Sequence, residues 1–177
     1  KRDDNVEGRN VYELFNHQIA YEIRLQQAME ENLLCPFHYF GITDLAIIGD
    51  NEEANRDFSM LTSDERVKHI IDQADYYGYS GDKVKGLIFC SSIRETEELS
   101  AKFNHVINPA TGKKFRTIAL NGSSSEPERQ NAFERLAMNE GDTTADNEPL
   151  DYIFSVEILN EGVDIVEVNQ VITLRKT

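Results

Sequence analysis

Helical spacing governs the first stretch of the chain. From Val11 to Leu34 the apolar positions Leu14, Phe15, Ile19, Ala20, Ile23, Ala28 and Met29 recur at helical intervals. Glu22, Arg24, Gln26, Gln27, Glu30 and Glu31 occupy much of the remaining surface. The pattern predicts one amphipathic helix with a solvated charged face. The aromatic run Pro36-Phe-His-Tyr-Phe-Gly-Ile-Thr43 predicts a strand, with His38 as a packed core residue. Asp50 to Asp57 is polar and loop-like. Thr62-Ser-Asp-Glu65 has the chemistry of a helix entry, a hydroxyl cap followed by acidic residues. That helix is predicted to run through Val67, Ile70, Ile71 and Ala74 and to stop before Gly81.

Beyond residue 85 the pattern becomes an alternation. Gly86-Leu-Ile-Phe-Cys90 is almost wholly apolar, as strands buried on both faces of a parallel sheet are. Ser91 and Ser92 follow, then a predicted helix from about Arg94 to Phe103. After a loop with Pro109 and Gly112, Arg116-Thr-Ile-Ala-Leu120 predicts a second strand. Asn121-Gly-Ser-Ser-Ser125 is a turn, and Glu126-Pro127 opens a helix reaching about Met138. The acidic stretch from Asn139 to Pro149 lacks large apolar residues and predicts a surface loop. Leu150-Asp-Tyr-Ile-Phe154 and Val168-Asn-Gln-Val-Ile-Thr-Leu174 predict two more strands. Strand, helix, strand, helix, strand implies βαβ units. The expected fold class is α/β, an open, mainly parallel sheet with helices on both faces, preceded by the amphipathic helix.

Ligands of such sheets sit beyond the carboxyl ends of the strands. Three positions therefore matter. After Cys90 stand Ser91, Ser92 and Arg94; after Leu120 stand Asn121, Gly122 and a serine run. After Phe154 come Ser155 and then Asn160-Glu-Gly-Val-Asp164. Hydroxyls, glycine-exposed N–H groups and an arginine suit phosphate oxygens. Each group alone also reads as an ordinary turn; the functional signal is that all three converge on one sheet edge.

Several chemistries have no anchor. No G-x-x-x-x-G-K-[ST] occurs, and Gly112-Lys113-Lys114 lacks the earlier glycine and the hydroxyl. No G-x-G-x-x-G follows a strand, and no G-x-S-x-G is present. His17, His38, His69 and His105 are scattered without metal-ligand spacing. Asp64-Glu65-Arg66 sits at a helix start, not at a strand end, so it is no Mg2+-binding acidic box.

Composition narrows the picture further. With 177 residues, 40% hydrophobic and 28% charged, the chain fits one globular domain plus a short flanking element. No apolar run is long enough to span a membrane, and Lys1-Arg2-Asp3-Asp4-Asn5 opens no secretory signal. Cys35 and Cys90 lie in or beside apolar runs and are expected to be buried, reduced thiols, which points to the cytoplasm. The net charge of -14 weighs against tight binding of nucleic acid, which needs local Lys or Arg. It leaves room for a grip by backbone N–H groups, hydroxyls and a few cations.

Three segments resemble helicase motifs. Gly86-Leu-Ile-Phe-Cys-Ser-Ser-Ile-Arg-Glu-Thr-Glu-Glu-Leu99 is similar to motif IV of superfamily 2 helicases, and Ala119 to Arg129 is similar to the strand, turn and helix that follow it. Asp151 to Ile165 resembles motif V. The likeness is to the second RecA-like domain of bacterial DEAD/DEAH helicases related to the motor subunits of type I and III restriction enzymes. It implies two segments. Residues 1–34 would be a linker and helix arriving from a first RecA-like domain of the same chain. Residues 35–177 would be the RecA-like domain itself, closing before motif VI. It also implies that Ser91, Ser92, Arg94, Asn121, Gly122, Arg129 and Ser155 contact nucleic acid, DNA in the first instance. Glu161, Gly162 and Asp164 would approach the nucleotide.

Glycine permits close backbone approach, and a carboxylate accepts from ribose hydroxyls. Asp164 reads equally as a turn former or helix cap, and Arg129 as the partner of a glutamate one turn away. Val166 stands where many relatives have proline and Ser155 where threonine is usual. The cofactors implied are ATP and Mg2+, held with the help of residues outside this sequence, so the chain alone is expected to be inactive. Restriction-modification subunits are further implied partners. The competing reading is a non-catalytic RecA-like interaction module, which the acidic surface favours. A nucleotide-sugar or dinucleotide enzyme lacks its glycine fingerprint.

Overall fold

A computed structural model describes residues 16, 18, 23–35, 37–42, 58–144, 147–156, 158 and 165–174. The chain divides into two compact units, Lys1–Ile42 and Thr43–Thr177.

In the first unit, helix α1 spans Leu25–Glu30, where Gln26 and Gln27 donate to Glu30 and Glu31 one turn on. Asn32 in the left-handed region (φ 57°) ends it, and the Leu33 N–H returns to the Ala28 carbonyl. The helix is far shorter than the spacing predicts: Ile23 is not helical, Arg24 is extended, and Asn16 has a positive φ. Residues 11–15, 17 and 19–22 lie outside the described residues. The aromatic run is not a strand either. Residues 37–42 are irregular and exposed, so His38 stacks on Phe40 at 6.3 Å rather than packing in a core. Cys35 is exposed, against expectation, while Cys90 is buried. β-propensity yields a strand only where a neighbour strand completes the ladder.

The first described element of the second unit is a short helix α2, Phe58–Leu61, which the sequence pattern did not predict; the polar stretch from Asp50 to Asp57 lies outside the described residues. Helix α3 covers Asp64–Tyr77 and starts as expected, with the Ser63 hydroxyl accepting from the Arg66 N–H. It stops at Gly78, whose φ of +68° suits glycine. Strand β1 is Gly86–Phe89, helix α4 Ile93–Phe103, strand β2 Thr117–Leu120 and helix α5 Glu126–Ala137. A 3-10 turn at Glu140–Asp142 lies in the predicted surface loop, before β3, Tyr152–Ser155, and β4, Gln170–Thr173.

All four strands are parallel, in the order β2-β3-β1-β4. Alternation divides their side chains between two cores. Ile88, Tyr152 and Phe154 face Val67, Ile70 and Ile71 of α3 and Leu99 and Phe103 of α4. Leu87, Leu120 and Ile153 face Ala132 and Leu136 of α5. Phe103 anchors the first core edge-to-face on Phe154, with ring centroids 5.0 Å apart. Helices thus cover both faces, and the parallel α/β expectation holds.

The outer strands are tied down by side chains. The Asn104 amide pairs with both the N–H and the carbonyl of Thr117, closing part of the open edge of β2. At the start of β4 the Gln170 amide donates to the Ala74 and Gly78 carbonyls at 2.9 Å each, fastening the end of α3. Asn169 does the same for the loop before β1, accepting from the Lys85 N–H and donating to the Ser80 and Lys83 carbonyls.

Candidate functional site

In-register parallel pairing sets the candidate residues side by side. Phe89 pairs with Ser155, and Ser155 with Leu120, so the carboxyl ends of β1, β3 and β2 share one edge. From that edge α4 leaves β1 toward one face, and α5 leaves β2 toward the other. Diverging connections open a crevice beyond the strand ends. The three strand ends are therefore brought to one edge, with β3 between β1 and β2.

The turn after β1 is built around a buried carboxylate. Ser92 caps α4, accepting from the Glu95 N–H at 3.2 Å. Glu95, fully buried, reaches back: its Oε2 accepts from both the N–H (2.8 Å) and the hydroxyl (2.6 Å) of Ser91. Its Oε1 accepts from Arg66 Nη1 at 2.6 Å, and that guanidinium is itself only 1% exposed. Ser91, Ser92 and Arg94 are exposed.

The turn after β2 is held by an amide. Asn121 Oδ1 accepts from the N–H (2.9 Å) and hydroxyl (2.6 Å) of Ser123, and the Asn121 N–H donates to the Ser124 hydroxyl. Ser125 then caps α5 in a reciprocal box with Glu128. The backbone and side-chain hydrogen bonds from Ser125 hold the Glu128 carboxyl below its usual range. Gly122 is exposed, with open space where a side chain would project. Arg129 Nη2 donates to the Gly122 carbonyl at 3.4 Å, and Nη1 lies 3.9 Å from Glu126. The arginine therefore braces this turn and also sits beside the glutamate one turn away.

At the end of β3, Ser155 is fully buried, and its hydroxyl donates to the Ile158 carbonyl at 3.0 Å. Its own carbonyl accepts from the Cys90 N–H, locking the β1 and β3 ends together. Burial pushes the Cys90 thiol up to about 12. Glu161, Gly162 and Asp164 lie outside the described residues. Among the described residues no group of three His, Cys, Asp or Glu side chains could hold a metal ion. None of the described helices is long and apolar enough to cross a membrane.

Two polar groupings escaped the sequence reading. One is the Arg66–Glu95 pair, whose members lie 29 positions apart. The other sits at the opposite, amino-terminal edge of the sheet, where Lys83, Arg116 and Lys113 surround Glu140 and Asp151. Asp151 is 3% exposed there; burial raises its pKa, against the hydrogen bond from the Arg116 N–H. The hydrogen bond from the Arg116 guanidinium instead drives Glu140 down to about 2. No local signal marks either grouping, because charged residues at these positions also fit a solvated surface.

Comparison with known proteins adds the following. The family described as helicase conserved C-terminal domain matches residues 65–177, well over half of the chain. No curated protein matches the sequence. Among solved structures, the chain is similar to "Mss116p DEAD-box helicase domain 2 bound to an RNA duplex", with 15% identity and a TM-score of 0.42. That similarity covers 64% of this chain and 37% of the other.

Proposed function

The chain belongs to the helicase conserved C-terminal domain family, and from that premise we propose that it serves as the second motor domain of an ATP-driven superfamily 2 helicase or translocase. The observation that carries the reading is the alignment of three polar strand ends on one edge of a parallel sheet, where the helices diverge. In this reading the turns after β1 and β2 lie along a nucleic-acid backbone. Ser92, Arg94, Asn121 and Gly122 meet phosphate and sugar, and Arg129 keeps the second turn in shape. Ser91 and Ser155 contribute by shaping their turns, since their hydroxyl protons are directed inward. Glu161, Gly162 and Asp164 are the nucleotide-facing residues of the proposal.

ATP with Mg2+ would supply the driving free energy, and phosphoryl transfer in this class takes a P-loop lysine and transition-state arginines. The 177 residues contain no P-loop sequence. We therefore expect the purified chain to release no phosphate from ATP, with or without oligonucleotide. Joined to sequence that supplies both a P-loop motor domain and the transition-state arginines, the chain should do so. Sustained turnover by the chain alone, followed by phosphate release, would overturn the reading.

The likeness of the motif IV and V segments to restriction-enzyme motor subunits leads us to propose DNA as the preferred strand. Titrating labelled oligo(dT) and oligo(rU) in parallel tests it. The net charge of -14 favours a second reading, a docking module for basic proteins. Failure to bind either oligonucleotide at low salt would promote that alternative.

A further inference from the structure

Both strand-end turns carry the same local signature, a serine cap with a glutamate three residues on: Ser92 with Glu95, and Ser125 with Glu128. They use it differently. Glu128 is exposed and returns to the N–H and hydroxyl of its own cap, Ser125. Glu95 is fully buried and reaches one residue further, taking both the N–H and the hydroxyl of Ser91 on Oε2. Its other oxygen is fixed by Arg66 from α3, and the same guanidinium nitrogen also donates to the Leu61 carbonyl at the end of α2. Helix capping needs none of this extra anchoring, as the Ser125 turn demonstrates.

Nor is a buried ion pair a strong source of stability. Withdrawing both charges from water is costly, and apolar pairs of similar volume commonly hold a fold as well or better. What the buried pair does is specify geometry. It turns both Ser91 donors inward and fixes where Ser92 and Arg94 emerge at the carboxyl edge of β1.

We propose that Glu95, through the two hydrogen bonds it accepts from Ser91, is a positioning residue that sets the turn after β1 for strand binding, with Arg66 as the partner that balances its buried charge. The proposal rests on the motor-domain reading above. The test compares two double variants with the unsubstituted chain. Arg66→Met with Glu95→Met removes both charges and the tether to Ser91. Arg66→Met with Glu95→Gln removes the charges but keeps a side-chain oxygen able to accept from Ser91. Three quantities are read: the thermal unfolding midpoint, amide hydrogen exchange at Ser91 and Ser92, and affinity for fluorescein-labelled oligo(dT) and oligo(rU).

Both variants should unfold near the unsubstituted midpoint. In the Met/Met variant, Ser91 exchange should accelerate while β1 stays protected, and oligonucleotide affinity should fall about tenfold. The Met/Gln variant should keep slow exchange and lose no more than about twofold. Unchanged affinity in the Met/Met variant overturns the positioning role, as does an equal loss in the Met/Gln variant. Absence of binding by the unsubstituted chain sinks the motor-domain reading instead. The exchange data then still decide whether Glu95 fixes the turn.

Discussion

At the scale of the residue, two carboxyl groups of one cluster respond to acid in opposite directions. Glu140 is about half exposed and belongs to the amino-terminal cluster, where the hydrogen bond from Arg116 holds its pKa at about 2. A carboxylate depressed in the folded state, against about 4.3 unfolded, contributes stability that is complete above the unfolded value. That contribution is lost as pH falls from about 4.3 toward 2. Asp151 works the other way, because burial raises its pKa and acid relieves the penalty. We expect Glu140→Gln to flatten the acid limb of stability in this window. The effect should stay under about 1 kcal/mol, since the pair is solvent-screened. Urea midpoints measured from pH 7 down to 2 check this, and parallel acid limbs in the two proteins would contradict it. None of these roles was legible in the sequence. In the sequence Glu95 is one residue of the helix predicted after β1, and only the fold brings Arg66 to it. That Ser91, Ser92, Asn121 and Gly122 follow strand ends was legible, because small polar residues directly after apolar runs announce such ends.

Elements follow the sequence closely wherever a short apolar run meets a cap. β1, β2, β3 and the helices α4 and α5 fall within two residues of their predicted bounds. Both signals there are local: a run buried on two faces, and a serine with a glutamate three positions on. The first unit departs from its pattern: the helix is confined to Leu25–Glu30, and the aromatic residues 37–42 are irregular and exposed; β-propensity without a paired, half-buried surface makes no strand. Gly86, the first residue of β1, is an element-scale constraint that periodicity does not reveal. A methyl group there would overlap the ring of Tyr152 on the paired strand. That ring is buried in the first core and its hydroxyl donates to Gln170 at 2.6 Å, so it cannot swing aside freely. Gly86→Ala should destabilise the domain by about 1–3 kcal/mol through overpacking. An equilibrium urea denaturation with an unchanged midpoint would show that the ring yields.

For the whole molecule, charge and topology decide what kind of grip is available. The strand order β2-β3-β1-β4 was not legible, because periodicity identifies strands without saying which neighbours they choose. It is this order that gathers the polar turns after β1 and β2 on either side of Ser155. The whole chain carries a net charge of -14, and the two turns bring just two cations, Arg94, proposed to meet the strand, and Arg129, proposed to brace its turn. Arg129 already serves the Gly122 carbonyl. Contacts from hydroxyls and backbone N–H groups displace no condensed counterions, whereas each phosphate neutralised by a cation does. A single-strand site of this composition should therefore depend on salt only weakly. With one or two phosphates neutralised, the slope of log affinity against log salt should lie between about -0.7 and -1.4. Anisotropy titrations of labelled oligo(dT) across a salt series measure it. A slope steeper than about -3 would require about five or more displaced cations, more than these turns supply, and would move the interface to a different, basic face of the chain.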